Sequence, residues 1–186
     1  MQDFVVTEES DVSILADFYC GLPFMDEYIH DGRLQTYLSQ HSRTFFVVRS
    51  ECYDIVAMFV ISKGVLYLDE DCKEDLEMKF PGFGTEPLIA QEWQTGMFPS
   101  LEIDYLAVRE DCRGTCRHIG SWAIRKIMSF ASKYENPLFL SVAAYYTKEY
   151  SAIPFYHKNG FWAAQQPCTN IDTIKMYRII DVDTAD

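Results

Sequence analysis

The chain has 186 residues, 48% of them hydrophobic and 15% aromatic, and a formal net charge of −12. That is enough apolar material for one full core and too little chain for two ordinary domains, so a single domain over 1–186 is expected. The acidic balance argues against a surface built to hold nucleic acid or an anionic membrane, and the longest apolar run, Ile55 to Ile61, is far too short to cross a bilayer.

The first segment, Met1 to Asp11, is acidic and lacks the apolar stretch of a secretory signal, and Phe4-Val-Val6 reads as a first strand. Thr7 or Ser10 can cap a following helix with Val12, Leu15, Ala16 and Tyr19 on one face, until Gly21-Leu-Pro23 interrupts it. A second short helix is predicted from Arg33 to Gln40. Thr44–Ser50 and Asp54–Ser62 are rich in β-branched and aromatic residues and suit a β-hairpin. From Lys63 to Ser100 the periodicity is weak. Val65–Asp69 reads as a strand, Glu70 to Lys79 as an acidic helix, and Pro81-Gly-Phe-Gly84 as a turn.

Leu101 to Val108 is a clear strand. A polar stretch with Arg113 and Gly114 follows, and then a helix with Ile119, Trp122, Ala123, Ile127, Phe130, Ala131 and Tyr134 at near-helical spacing, ended by Asn136-Pro137. Leu138–Ala144 reads as a buried strand. Glu149 to Lys158 reads as a helix that Pro154 either kinks or delays, and Asn159-Gly160 stops it. Phe161–Ala164 and Thr173–Ile180 complete a mixed α/β order centred on one sheet.

The stretch after the Leu101 strand carries the chemistry. A loop that ends at a helix N-terminus presents unpaired N–H groups and partial positive charge, which suits phosphate. The six cysteines contain no C-x-x-C pair and read as free thiols in a reducing compartment, so a cytoplasmic location is expected. Cys112, Cys116 and His118 lack a clear fourth ligand, so no metal is expected.

Leu101–Ser121 together with Ala152-Ile-Pro-Phe-Tyr-His-Lys-Asn-Gly-Phe161 resembles the GNAT superfamily of acetyl-CoA-dependent N-acetyltransferases. The resemblance implies a central, mostly antiparallel mixed sheet with a splayed strand pair, flanked by helices, and acetyl-CoA as co-substrate. It implies that Arg113, Gly114, Thr115, Cys116, Arg117, His118, Ile119, Gly120 and Ser121 hold the pyrophosphate. Anchored on Gly120, the family pattern places Thr115 at its Arg/Gln position and His118 at its middle glycine. Backbone groups of Leu106, Ala107 and Val108 would pair with the pantetheine arm. Glu102 matches a strand glutamate that serves as general base in some members, with Asp104 the alternative; an ion-paired strand carboxylate is the rival reading. Tyr156 stands where the family has a tyrosine beside the CoA sulfur, able to protonate the leaving thiolate; a packed core tyrosine is the rival.

The acceptor expected from charge is a cationic small-molecule or peptide amine, with nucleic acid an unlikely partner, no membrane, and a homodimer compatible with the resemblance. Two alternatives stand beside it. Met97 to Val108 is also similar to toxins that acetylate aminoacyl-tRNA, for which Arg113, Arg117, Arg125 and Lys126 offer only a local basic patch. The other alternative is an acyl-CoA-binding module without turnover.

Overall fold

The computed structural model describes residues 4–40, 42–52, 54–87, 89–114, 118–134, 137–164 and 172–180. Among the described residues there are seven strands: β1 (Val5–Glu9), β2 (Arg43–Arg49), β3 (Ile55–Tyr67), β4 (Met97–Val108), β5 (Phe139–Tyr145), β6 (Trp162–Ala163) and β7 (Thr173–Ile179). Six α-helices accompany them among the described residues: α1 (Pro23–His30), α2 (Arg33–Gln40), α3 (Glu70–Lys79), α4 (Ala90–Thr95), α5 (Ile119–Ser129) and α6 (Ile153–Lys158). The strand order is β1-β2-β3-β4-β5-β7-β6, and the β1–β2, β2–β3, β5–β7 and β6–β7 pairs are antiparallel. Among the described residues no helix is long and apolar enough to cross a membrane.

Packing divides the chain into two compact units, Met1–Ser62 with Ile103–Ile127, and Lys63–Glu102 with Met128–Asp186. β3 and β4 run from one unit into the other.

In the first unit, Val56 to Ile61 are all buried, on both faces of β3. That explains a run without alternation: a strand covered on both sides has no solvent face to fill with polar residues. Met58 and Val60 pack with Phe45 and Val47 of β2 against Ile29 of α1 and Leu34 of α2. The helix predicted around Val12–Tyr19 shrinks to a 3-10 turn over Val12–Leu15, capped by Asp11, whose carboxylate accepts the Ser13 amide at 2.8 Å. Helix α1, absent from the sequence reading, begins at the proline taken there as an interruption. Proline fits a first helical turn because its missing N–H would have no acceptor there.

In the second unit, α3 matches its predicted bounds and starts on Asp69, which accepts the Cys72 amide at 2.9 Å. Leu66, Leu76, Phe98, Phe139 and Tyr177 form its core. The rings of Phe98, Phe139 and Tyr177 meet edge to face at 5.2 and 5.6 Å. Helix α4, also unpredicted, ends on Gly96, whose φ is 70° and whose added Cβ would fall 2.6 Å from Leu68 O. Only glycine satisfies both demands.

Two strands run longer than the sequence suggests. β3 continues through Gly64, joining the segments Asp54–Ser62 and Val65–Asp69 that the sequence suggests as separate strands. A Cβ there would meet Glu102 Oε2 at 3.0 Å and Ser100 Oγ at 3.1 Å, so the glycine marks a close side-chain approach between strands, not a turn. β4 begins at Met97, not Leu101, and takes Pro99 into the strand, with its carbonyl accepting the Leu138 amide at 3.1 Å. Proline forfeits only its own N–H, and its carbonyl still serves the ladder.

Candidate active site

The first unit carries the residues assigned to the cofactor. Leu106 and Val108 are half-buried, and Ala107 packs into the core under α1 and α2. Beyond Val108 the chain turns at once. The Arg109 amide donates to Val56 O at 2.9 Å, and its guanidinium closes onto Asp111 at 2.7 Å and Ile55 O at 3.3 Å. Gly114 follows with φ 68° and open space where a Cβ would stand. The Arg113 guanidinium lies against Gly21, where a Cβ would come within 2.7 Å of Nη2. Thr115, Cys116 and Arg117 lie outside the described residues.

His118 has φ 47°, the single non-glycine in the left-handed region among the described residues. Its carbonyl accepts the Trp122 amide at 2.9 Å and opens α5. The amides of Ile119, Gly120 and Ser121 therefore precede the first intrahelical donor and have no acceptor in their own helix. His118 thus takes a backbone conformation that glycine adopts more readily than other residues.

Asp104 is committed within this same unit. Arg43 Nε donates to Oδ2 and Ser62 Oγ to Oδ1, each at 3.1 Å. Arg43 and Ser62 are register partners on β2 and β3, so the three side chains form a row across three strands. The Arg43 guanidinium also stacks 3.7 Å over the Tyr37 ring. With both oxygens engaged, Asp104 is poorly placed to receive a further proton.

The second unit holds Glu102 and Tyr156. After β5, an antiparallel bridge joins Tyr146 to Ser151, and the Ala152 amide returns to Tyr145 O at 2.9 Å. This tight return delays α6 until Ile153, with Pro154 in its first turn, so the late start holds and not the kink. Tyr156 packs edge-on between Phe155 and Phe161 at 5.1 and 5.2 Å, and only 6% of it is exposed. Burial, with a smaller contribution from Tyr150, pushes its phenol well above the usual value of 10.0. It is therefore a neutral O–H donor at every physiological pH.

Glu102 accepts a hydrogen bond from Lys175 Nζ at 2.5 Å through Oε1, with both side chains partly exposed. Sequence reasoning weighed an ion pair for Glu102 but had no way to name its partner, because the register of β7 is not written in β7. Arg43, Ser62 and Gly64 were missed for the same reason.

No family model matches the chain, and no curated protein matches it by sequence. Its structure, however, is similar to solved structures over nearly its whole length. One described as a bacterial toxin has a TM-score of 0.66 at 12% identity, covering 97% of this chain and 92% of that one. AtaT complexed with acetyl-methionyl-tRNAfMet gives 0.61 at 13% identity, covering 95% of both chains. A tyrosine-to-phenylalanine mutant of the AtaT toxin, bound to acetyl-CoA and the C-terminus of the antitoxin AtaR, gives 0.61 at 12%, covering 96% and 94%. The fold is that of these toxins, as the resemblance to GNAT acetyltransferases implied.

The expectation about partners is corrected by the same finding. A small-molecule or peptide amine with nucleic acid unlikely does not stand when a protein of this fold is seen with a charged tRNA. The inference from net charge fails for a physical reason. A charge of −12 is a sum over the whole surface, whereas phosphate contact depends on local cations, and α5 alone exposes Arg125 and Lys126.

Proposed function

We propose that this chain is an acetyl-CoA-dependent N-acetyltransferase whose acceptor is the α-amino group of an aminoacyl-tRNA. The observation that carries this reading is the likeness, across 95% of both chains, to a toxin complexed with acetyl-methionyl-tRNA. A second likeness, to a toxin holding acetyl-CoA, supports the co-substrate. The local geometry fits the co-substrate. Three helix-first amides and two positive-φ positions, Gly114 and His118, suit a pyrophosphate.

Acetyl-CoA supplies the acetyl thioester. The acceptor nitrogen forms a bond to the thioester carbon, the C–S bond breaks, the amine loses a proton and the sulfur gains one. Main-chain groups of Leu106, Ala107 and Val108 align the thioester arm and offer N–H donors to the developing oxyanion. Glu102 receives the amine proton through Oε2, the oxygen that Lys175 leaves uncommitted. Tyr156 gives its O–H proton to the departing sulfur and is reprotonated from solvent. Burial, which keeps the phenol neutral, makes it a donor and not a base.

The test is thiol release. Purified protein, acetyl-CoA and a pool of charged tRNA should liberate free CoA, whereas deacylated tRNA should not. Binding of acetyl-CoA without release in either arm would leave only a binding module.

A further inference from the structure

Glu102 lies in the second unit, and the residues around it are matched to hold it. Lys175 is on β7, with Ala143 of β5 as its register partner. The order β4-β5-β7 puts two interstrand steps, about 10 Å, between the backbones of Lys175 and Glu102. The lysine side chain spans this distance, and its ammonium ends 2.5 Å from Oε1. On the other side stands Gly64, where a Cβ would come 3.0 Å from Oε2. A side chain at Gly64 would take space that the carboxylate now uses.

We infer that Lys175 is a positioning residue for the acetyl-transfer step: it fixes one oxygen of Glu102 so that the other is held toward the acceptor amine. This rests on the assignment of Glu102 as the group that receives the amine proton. The structure sets Lys175 apart from a surface ion-pair partner. Its ammonium reaches across the intervening strand β5, and both members are less than one-third exposed. Such a carboxylate, freed of its cation, turns about its side-chain torsions, and a displacement of about 1 Å at a reacting group costs on the order of 100-fold in rate.

The experiment compares wild type, Lys175→Met, Lys175→Arg, Glu102→Gln and the double variant Glu102→Gln/Lys175→Met, with acetyl-CoA and charged tRNA under steady state. The expected result is a fall in kcat for Lys175→Met of about 10- to 100-fold with KM for acetyl-CoA unchanged. Lys175→Arg should recover most of the rate, and the double variant should be no slower than Glu102→Gln alone. Thermal melting of each variant checks folding, and Gly64→Ala, which crowds Oε2 from the opposite side, gives an independent fall in kcat in a chain that keeps Lys175. Wild-type kcat in Lys175→Met, or losses that multiply in the double variant, overturns the positioning role. A wild-type protein that transfers no acetyl group to charged tRNA overturns the functional reading on which the role rests, so the two failures are told apart by the first lane of the assay.

Discussion

Replacing His118 with glycine should stabilise the protein. His118 is solvent-exposed and has φ 47°, a conformation that brings Cβ against the following carbonyl oxygen. An L-residue held there costs about 1–2 kcal/mol relative to its relaxed form. Glycine removes that cost but adds back about 0.4–1 kcal/mol through the greater freedom of the unfolded chain. At the midpoints of these two ranges the net gain is about 0.8 kcal/mol, which for a chain of this size raises Tm by about 2–3 °C. His118→Ala is the control, because it removes the imidazole and keeps the strain, so its Tm should stay near wild type. The assay is thermal and urea unfolding of the three proteins side by side. Acetyl-CoA affinity, read by calorimetry, should be kept in the glycine variant, since main-chain amides and not the imidazole are assigned to the diphosphate. A glycine variant no more stable than the alanine variant would refute the reasoning, and so would a glycine variant that lost acetyl-CoA binding.

Tyr156→Phe should keep its fold and its acetyl-CoA affinity while single-turnover acetyl transfer slows by about 100-fold or more, the usual contribution of a positioned proton donor; an unchanged rate would remove the phenol from the step. Gly96→Ala should cost about 2–4 kcal/mol, measured by urea unfolding, because the left-handed backbone and the Leu68 carbonyl at 2.6 Å both oppose a Cβ. Stability should be independent of phenol ionisation below pH 10 and fall as pH rises above it. Burial raises Tyr105, Tyr156 and Tyr177 above 10.0 and Tyr37 to about 12, so the unfolded chain loses those protons first. Denaturant midpoints followed from pH 8 to about 11 check the sign, and a midpoint that rises with pH would contradict it.

What could be read in the sequence follows local physics. The Leu101 strand and the helix opening at Ile119 were legible because apolar spacing and length agree within each segment, and the helices Arg33–Gln40 and Glu70–Lys79 also stand where the sequence put them. The misreadings share another cause, namely that one residue type serves two purposes. Pro23 opens a helix where it was taken to interrupt one, and Pro99 sits inside a strand that was expected to start only at Leu101. The family motif located Tyr156 and Glu102, but Lys175 lies 73 residues from Glu102 and becomes visible only once β7 is registered against β5. The acceptor was misjudged because total charge was used where local charge decides.

The central claim is tested most directly by incubating the protein with labelled acetyl-CoA and charged tRNA, releasing the amino acids by mild alkaline hydrolysis, and identifying them by mass. The account predicts amino acids bearing the acetyl label on nitrogen, absent when deacylated tRNA is used and strongly reduced with Tyr156→Phe. Unmodified amino acids recovered beside intact acetyl-CoA, from a protein shown to be folded, would contradict it.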